Sequence, residues 1–303
     1  MVSKLDVRIP VDGGFELGAW LFVPQARGQY PGITMAHGFA GSKEHGIERF
    51  ARAFAAAGFV VLAHDHRNFG TSGGELRGDV DPWKQIADWR RAISYLEKRP
   101  EVDPTRIGLW GTSYAGGHAI VLGATDRRLR CIVAQVPTIS GYEQGLRRIS
   151  PEAQAALQHL FEEDERAQLQ GKPPSRQAIV SADTAVPAAY RSREAIDFYL
   201  QPVPDGLWEN QITLRSSRAA RLYEPGHWIS RVAPTPLLLV VAREDTLTLT
   251  DLALKAYERA LEPKRLAIIP GGHFAPYLDQ FPKSAAAATT WFREHLGGDH
   301  ELN

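Results

Sequence analysis

The chain has a single cysteine, Cys131, among 303 residues, which excludes an internal disulfide and any paired-thiol redox motif. Cys131 lies in the apolar run LRCIVAQVP and reads as buried filler, with only Arg130 beside it to favour a thiolate. Neither charge is in excess, since Lys plus Arg and Asp plus Glu both number 35. A chain so balanced carries no electrostatic footprint for a polyanion, so nucleic acid is not an expected partner. No apolar run approaches the ~20 residues that a membrane-spanning helix needs, so no membrane partner is expected either. The opening MVSKLDVRIP lacks the apolar stretch of a secretory signal, which makes the cytoplasm the expected compartment. Internal repeats and low-complexity tracts are also missing. What remains is ordinary for a globular protein: 44% hydrophobic and 23% charged residues, enough for one large core with or without an insertion.

Short apolar runs alternate with helix-like segments. Val7–Pro10 and Leu17–Pro24 flank Asp12-Gly13-Gly14 and predict an antiparallel hairpin. Ile33–Ala36 predicts a strand ending at His37-Gly38. The spacing of Ile47, Phe50, Ala51 and Phe54 predicts a helix that stops near Gly58. A strand at Phe59–Ala63 follows, then a helix opened by Asp81-Pro82 and running to about Lys98. Further strands are expected at Arg106–Trp110, Cys131–Val136, Pro236–Ala242 and Leu266–Ile269, with helices at Ala115–Ala124, Thr250–Leu261 and Pro282–His295. Between Ser140 and Arg231 the rhythm breaks into polar, mostly helical sequence rich in Gln, Arg and Glu, as in an inserted cap. The expected organisation is an α/β core over 1–139 and 232–303, with a helical cap over 140–231, built on a mainly parallel sheet with an antiparallel start.

The segment Arg106–Gly117, RIGLWGTSYAGG, breaks from a buried strand into Ser113 flanked by small residues. A nucleophile placed on a sharp strand-to-helix turn needs such neighbours, because bulk two residues away would strike the chain. The usual glycine two residues after the serine is replaced by Ala115, the smallest alternative. A serine hydroxyl also needs a base in hydrogen-bond reach, oriented by a carboxylate. Two later strands end in Glu244-Asp245 and Gly271-Gly272-His273. Strand C-terminal ends are where parallel α/β sheets collect ligands, so Ser113, Asp245 and His273 are the candidate nucleophile, orienting acid and base. Glu244 and Asp251 are secondary candidates for the acid. The oxyanion requires two backbone donors, for which Tyr114 and Phe39 are the candidates. His37 reads as shaping the Phe39 loop.

Five strings together resemble the α/β-hydrolase fold superfamily over nearly the whole length: HGFAGS (37–42), DHRNFGTSGG (65–74), GTSYAGG (111–117), ARED (242–245) and GGHF (271–274). The second is similar to the loop of dienelactone-hydrolase-like and cap-bearing esterase members. The chain also resembles the bacterial and fungal branch that includes polyketide transferases of the thiohydrolase type. GTSYAGG is similar to the elbow of cocaine esterases and Xaa-Pro dipeptidyl peptidases, whose chains are much longer. The resemblance implies an eight-stranded, mostly parallel sheet flanked by helices, and hydrolysis or transfer of an acyl group on a small-molecule substrate. It leaves the acyl group unnamed, with Xaa-Pro aminopeptidase activity and non-catalytic ligand binding as alternatives.

No cofactor or metal ion is expected. His64-Asp65-His66 is the one string that suggests metal ligands, and the family-like loop already accounts for Asp65. The glycine strings match neither a dinucleotide fingerprint nor a P-loop. Arg127-Arg128 and Arg147-Arg148 read as solvated faces, with a role toward an anionic substrate only if the cap turns them inward. Tyr142, Phe161, Tyr190, Phe198, Tyr199, Trp208 and Trp228 read as cap core or acyl-pocket lining. A homo-oligomer is left open by the sequence.

Overall fold

A computed structural model describes residues 2–25 and 28–297; the ends of the expected core ranges, at 1 and 298–303, lie outside them. The chain begins with strands β1 (Val2–Val11) and β2 (Phe15–Pro24), paired antiparallel with Val11 opposite Phe15. Their turn is made by Gly13 and Gly14, at φ +91° and +76°, a region that side chains disfavour. β3 (Tyr30–Ala36), α1 (Ile47–Ala56), β4 (Val60–His64), α2 (Pro82–Glu97), β5 (Val102–Thr112), α3 (Tyr114–Thr125) and β6 (Leu129–Gln135) follow in alternation. Asp81 caps α2 by accepting from the backbone N–H groups of Trp83 and Lys84, with Pro82 at the first helical position.

The segment after β6 carries α4 (Gly141–Arg148), α5 (Pro151–Leu169), α6 (Arg193–Tyr199), α7 (Leu214–Leu222) and a 3-10 turn at Pro225–Arg231. It also holds a three-stranded sheet of β7 (Arg176–Val180), β8 (Ala188–Tyr190) and β9 (Ile212–Thr213), which the mostly helical reading of 140–231 omits. The chain continues with β10 (Leu237–Ala242), α8 (Thr250–Arg259), β11 (Lys264–Ile269) and α9 (Phe281–Leu296).

The main sheet has eight strands in the order β1-β2-β4-β3-β5-β6-β10-β11, parallel from β4 to β11. Its inner strands are apolar without alternation, because helices cover both faces; β4 and β10 are buried along their whole length. Phe50, Phe54, Trp110 and Phe292 pack as one aromatic cluster with ring centroids 4.7–6.4 Å apart. Gly108 lets α9 approach β5, since a Cβ there would fall 2.9 Å from both Phe292 and Leu296. No helix among the described residues is long and apolar enough to cross a membrane.

From β3 the chain steps to β4 on one side and later returns to β5 on the other. That reversal opens a crevice at the C-terminal ends of β3 and β5, the place where open α/β sheets bind ligands. The loop carrying Phe39 leaves β3 there, and Ser113 leaves β5 there.

Candidate active site

Ser113 sits between β5 and α3 at φ +56°, ψ −118°, a backbone conformation that costs a non-glycine residue about 1–3 kcal/mol. The strain is held by hydrogen bonds on both sides. Ser113 N–H donates to Gln135 O at 2.8 Å, and its carbonyl accepts from Gly116 and Thr138 N–H at 2.9 Å each. Close packing explains the small neighbours. A Cβ on Gly111 would lie 2.1 Å from Ala115 O, and one on Gly116 would lie 2.9 Å from Pro137 Cα. Ala115 itself lies inside α3 and is fully buried, so the usual glycine is not required at that position.

His273 follows β11 and is 1% exposed. Its Nε2 lies 3.0 Å from Ser113 Oγ, and its Nδ1 lies 2.8 Å from Asp245 Oδ2. Asp245 Oδ1 accepts from Leu247 N–H at 2.7 Å and Thr248 N–H at 2.8 Å, while Oδ2 also accepts from Thr248 Oγ1 at 2.7 Å. Burial alone would push this carboxyl up. The His273 imidazole and the hydrogen bonds to His273 and Thr248 outweigh it and hold the group at about 2. The two secondary candidates point elsewhere. Glu244 accepts from Gly271 N–H, and Asp251 is engaged by Arg147 and Lys255.

The loop after β3 passes close to the serine, since a Cβ on Gly38 would lie 2.9 Å from Ser113 Cβ. His37 fixes this loop: Nδ1 pairs with Gly38 O at 2.9 Å, and Nε2 accepts from His66 N–H at 3.0 Å. Burial lowers its pKa, which keeps the ring neutral. Asp65 is fully buried, pairs with Lys43 and accepts from Thr71 N–H at 2.8 Å. Burial would raise its pKa, and the Lys43 ammonium beside it reverses that. His64 and His66 pack edge-on against Trp89, with ring centroids 5.2 and 5.9 Å away. Cys131 is fully buried, which pushes its thiol up and leaves it without thiolate character.

A cavity of about 130 Å³ opens beside Ser113, Phe39 and Tyr114. The segment after β6 supplies much of its wall, including Gln144, Arg148, Leu157, Tyr190 and Arg221. A smaller cleft that also touches Ser113 and Phe39 is bordered by His273, Phe198, Tyr199 and Tyr277. Of the aromatics singled out from sequence, Tyr190, Phe198 and Tyr199 therefore border the site. Tyr142 is exposed, and Phe161 is buried away from both cavities.

With this geometry, a model of the family described as X-Pro dipeptidyl-peptidase (S15 family) matches residues 12–275. The chain belongs to that family. Its fold is that of the α/β-hydrolase superfamily, in the polyketide-transferase-like branch, and it is an enzyme of the α/β-hydrolase type. The quorum-quenching protein AidA of Acinetobacter baumannii is 30% identical over 92% of this chain and 90% of its own length. A polyketide transferase of Gibberella fujikuroi is 30% identical over 90% of this chain and 91% of its own. The solved structure of the α/β hydrolase GrgF from Penicillium superposes with a TM-score of 0.84 at 25% identity, covering 98% of this chain and 100% of that one.

Three contacts around the site carry no signal in the sequence. Tyr199 OH donates to Phe39 O at 2.6 Å, and Trp208 Nε1 donates to Ala40 O at 2.8 Å. Glu194 of α6 faces the backbone N–H groups of His273 and Phe274. It lies so close that a Cβ on Gly272 would be 2.6 Å from its Oε2.

Proposed function

We propose that the protein is a serine hydrolase that cleaves a carboxylic ester, thioester or lactone through an acyl-enzyme on Ser113. The observation that carries the proposal is the continuous hydrogen-bond chain from Asp245 through His273 to Ser113. Ser113 Oγ bonds to the substrate carbonyl carbon as its proton passes to His273 Nε2. Asp245 stays ionised, holds the Nδ1–H tautomer and stabilises the imidazolium. The backbone N–H groups of Phe39 and Tyr114 receive the oxyanion. In support, Phe39 N–H donates to no acceptor among the described residues, and Tyr114 opens α3, where the first N–H groups lack helical partners.

The tetrahedral adduct collapses, and the leaving oxygen or sulfur departs with the proton from Nε2. Water then gives its proton to Nε2 and attacks the acyl carbon. The second adduct releases the carboxylic acid, and Ser113 takes the proton back. An alcohol or amine in place of water would make the same residues an acyl transferase, and product analysis with a competing alcohol separates the two. The segment 140–231 serves as the cap that shapes the acyl pocket, a reading supported by the wall residues it supplies.

Dipeptide release would bring an α-ammonium group to the site. Among the described residues the cavity beside Ser113 has no carboxylate in its wall to receive one, and two arginines border it instead, so ester or thioester substrates fit better. Turnover of p-nitrophenyl butyrate by Ser113→Ala tests the proposal. A loss of at least ~10³-fold is expected, and wild-type turnover in the variant overturns it.

A further inference from the structure

The part-buried Ser113 and the exposed Arg148 border the same cavity. Much of its wall is apolar, including Leu157, Ala189 and Leu247. Two guanidinium groups interrupt it: Arg148 at the end of α4 and the half-buried Arg221 of α7. Their neighbour Arg147 turns outward to Asp251 at 2.9 Å and Glu143 at 3.2 Å. Arg148 instead donates to Ala189 O at 2.9 Å and lies 4.7 Å from the centre of the Tyr190 ring. Arg221 donates to Gly145 O at 3.3 Å.

Neither arginine has a carboxylate partner among the described residues, and no Asp or Glu lines the cavity. A guanidinium has five N–H donors in a planar fork suited to a carboxylate; one carbonyl for Arg221, and one carbonyl plus the Tyr190 hydroxyl for Arg148, leave most of them unused. The two cations also act on each other: burial first, and then the Arg148 charge, push the Arg221 guanidinium below its usual value. An anion between them would relieve that repulsion.

We propose that Arg148 and Arg221 form a recognition site for a carboxylate on the acyl part of the substrate, so that half-esters or half-thioesters of dicarboxylic acids are preferred. The proposal rests on Ser113 being the nucleophile. The acyl side is assigned because His273, which protonates the leaving group, borders the other cleft and not this cavity. The leaving group departs toward His273, and the acyl chain occupies the arginine-bordered cavity.

The test compares kcat/KM for p-nitrophenyl half-esters of adipate and suberate with the neutral hexanoate and octanoate esters. Charge-assisted hydrogen bonds to a fork of this kind predict a preference of about tenfold or more for one of the half-esters. In Arg148→Gln and Arg221→Gln that ratio should fall toward about one as those bonds are lost. A ratio at or below one in the wild type, or a ratio unchanged in both variants, overturns the proposal. A preference for an anionic leaving group, read with 4-hexanoyloxybenzoate against its neutral amide, overturns the acyl-side assignment. If the variants fail to fold, free adipate should inhibit wild-type hydrolysis of the neutral ester more strongly than hexanoate, and equal inhibition counts against the site. Hydrolysis of the neutral esters keeps the parent reading separate: if it persists without any half-ester preference, only the arginine site fails.

Discussion

The phenol of Tyr199 donates a 2.6 Å hydrogen bond to the carbonyl oxygen of Phe39, 160 residues earlier in the chain. It holds, from α6, the carbonyl of the residue whose own N–H, on the preceding peptide, is the proposed oxyanion donor. Trp208 does the same for Ala40, a non-glycine residue at φ +54°. The segment between β6 and β10 thus holds the loop after β3 as well as walling the cavity. In Tyr199→Phe the ring remains and only the donor is lost. One net hydrogen bond of about 1 kcal/mol predicts a fall in kcat of about fivefold. Ester kinetics check it; an unchanged kcat would show that the loop holds its position without Tyr199.

Gly111 tests the packing of the turn. A Cβ there would meet Ala115 O at 2.1 Å, a backbone atom that cannot rotate away. Gly111→Ala is expected to lower stability by about 2 kcal/mol or more and shift the urea midpoint accordingly. Ala115→Gly should cost only about 1 kcal/mol, from weaker helix propensity, with turnover retained. Equal midpoints for the two variants would contradict this account of the elbow.

Much of this was legible in the sequence because its signals are local. The Gly13-Gly14 turn, the Asp81-Pro82 helix start and the buried β4 and β10 runs follow from backbone preference and periodicity. Ser113, Asp245 and His273 stand out because each closely follows an apolar strand-like run among small or turn-forming residues, and the structure brings all three into hydrogen-bond contact. β7, β8 and β9 did not stand out, since strands of five, three and two residues are too short to show a period. Nor could the sequence separate Arg147 from Arg148, because consecutive residues on a helix point about 100° apart and only the packed neighbours decide which faces the cavity. Glu194, Tyr199 and Trp208 act through backbone groups far away in the chain, and no local pattern announces that.

Lys43 pairs with the fully buried Asp65, and both side chains are nearly inaccessible. Lys43→Met would leave a carboxylate buried without its cation, at a cost of about 3–5 kcal/mol. The expected result is a large drop in the thermal or urea midpoint. Lys43→Met with Asp65→Asn should recover part of it, and no recovery would contradict the pairing argument.

Acid should destabilise the fold well before carboxylates protonate. His64 and His118 are held at about 3 and His45 at about 4, in each case chiefly by burial, against an ordinary value of 6.5. A folded value below the unfolded one means that the unfolded chain binds more protons. This stability is complete above about pH 6.5 and is lost as pH falls from there toward the folded values. Asp245, held at about 2 against the ordinary 3.8, adds a further loss only below about pH 4. Urea midpoints should fall steadily from pH 7 to pH 4.5. His64→Phe should make the unfolding free energy obtained from those curves less steep in pH, by at most about 1.4 kcal/mol per pH unit, one proton's worth. A flat profile in the wild type would contradict the neutral burial of these rings.

The central claim is that Ser113 becomes acylated because His273 and Asp245 activate it. It is tested most directly by incubating the protein with a fluorophosphonate and mapping the adduct by peptide mass spectrometry. The account predicts one stoichiometric adduct on Ser113, absent from Ser113→Ala and slowed at least ~10²-fold in His273→Ala. An adduct on another residue, or no adduct on a folded wild-type protein, would contradict it.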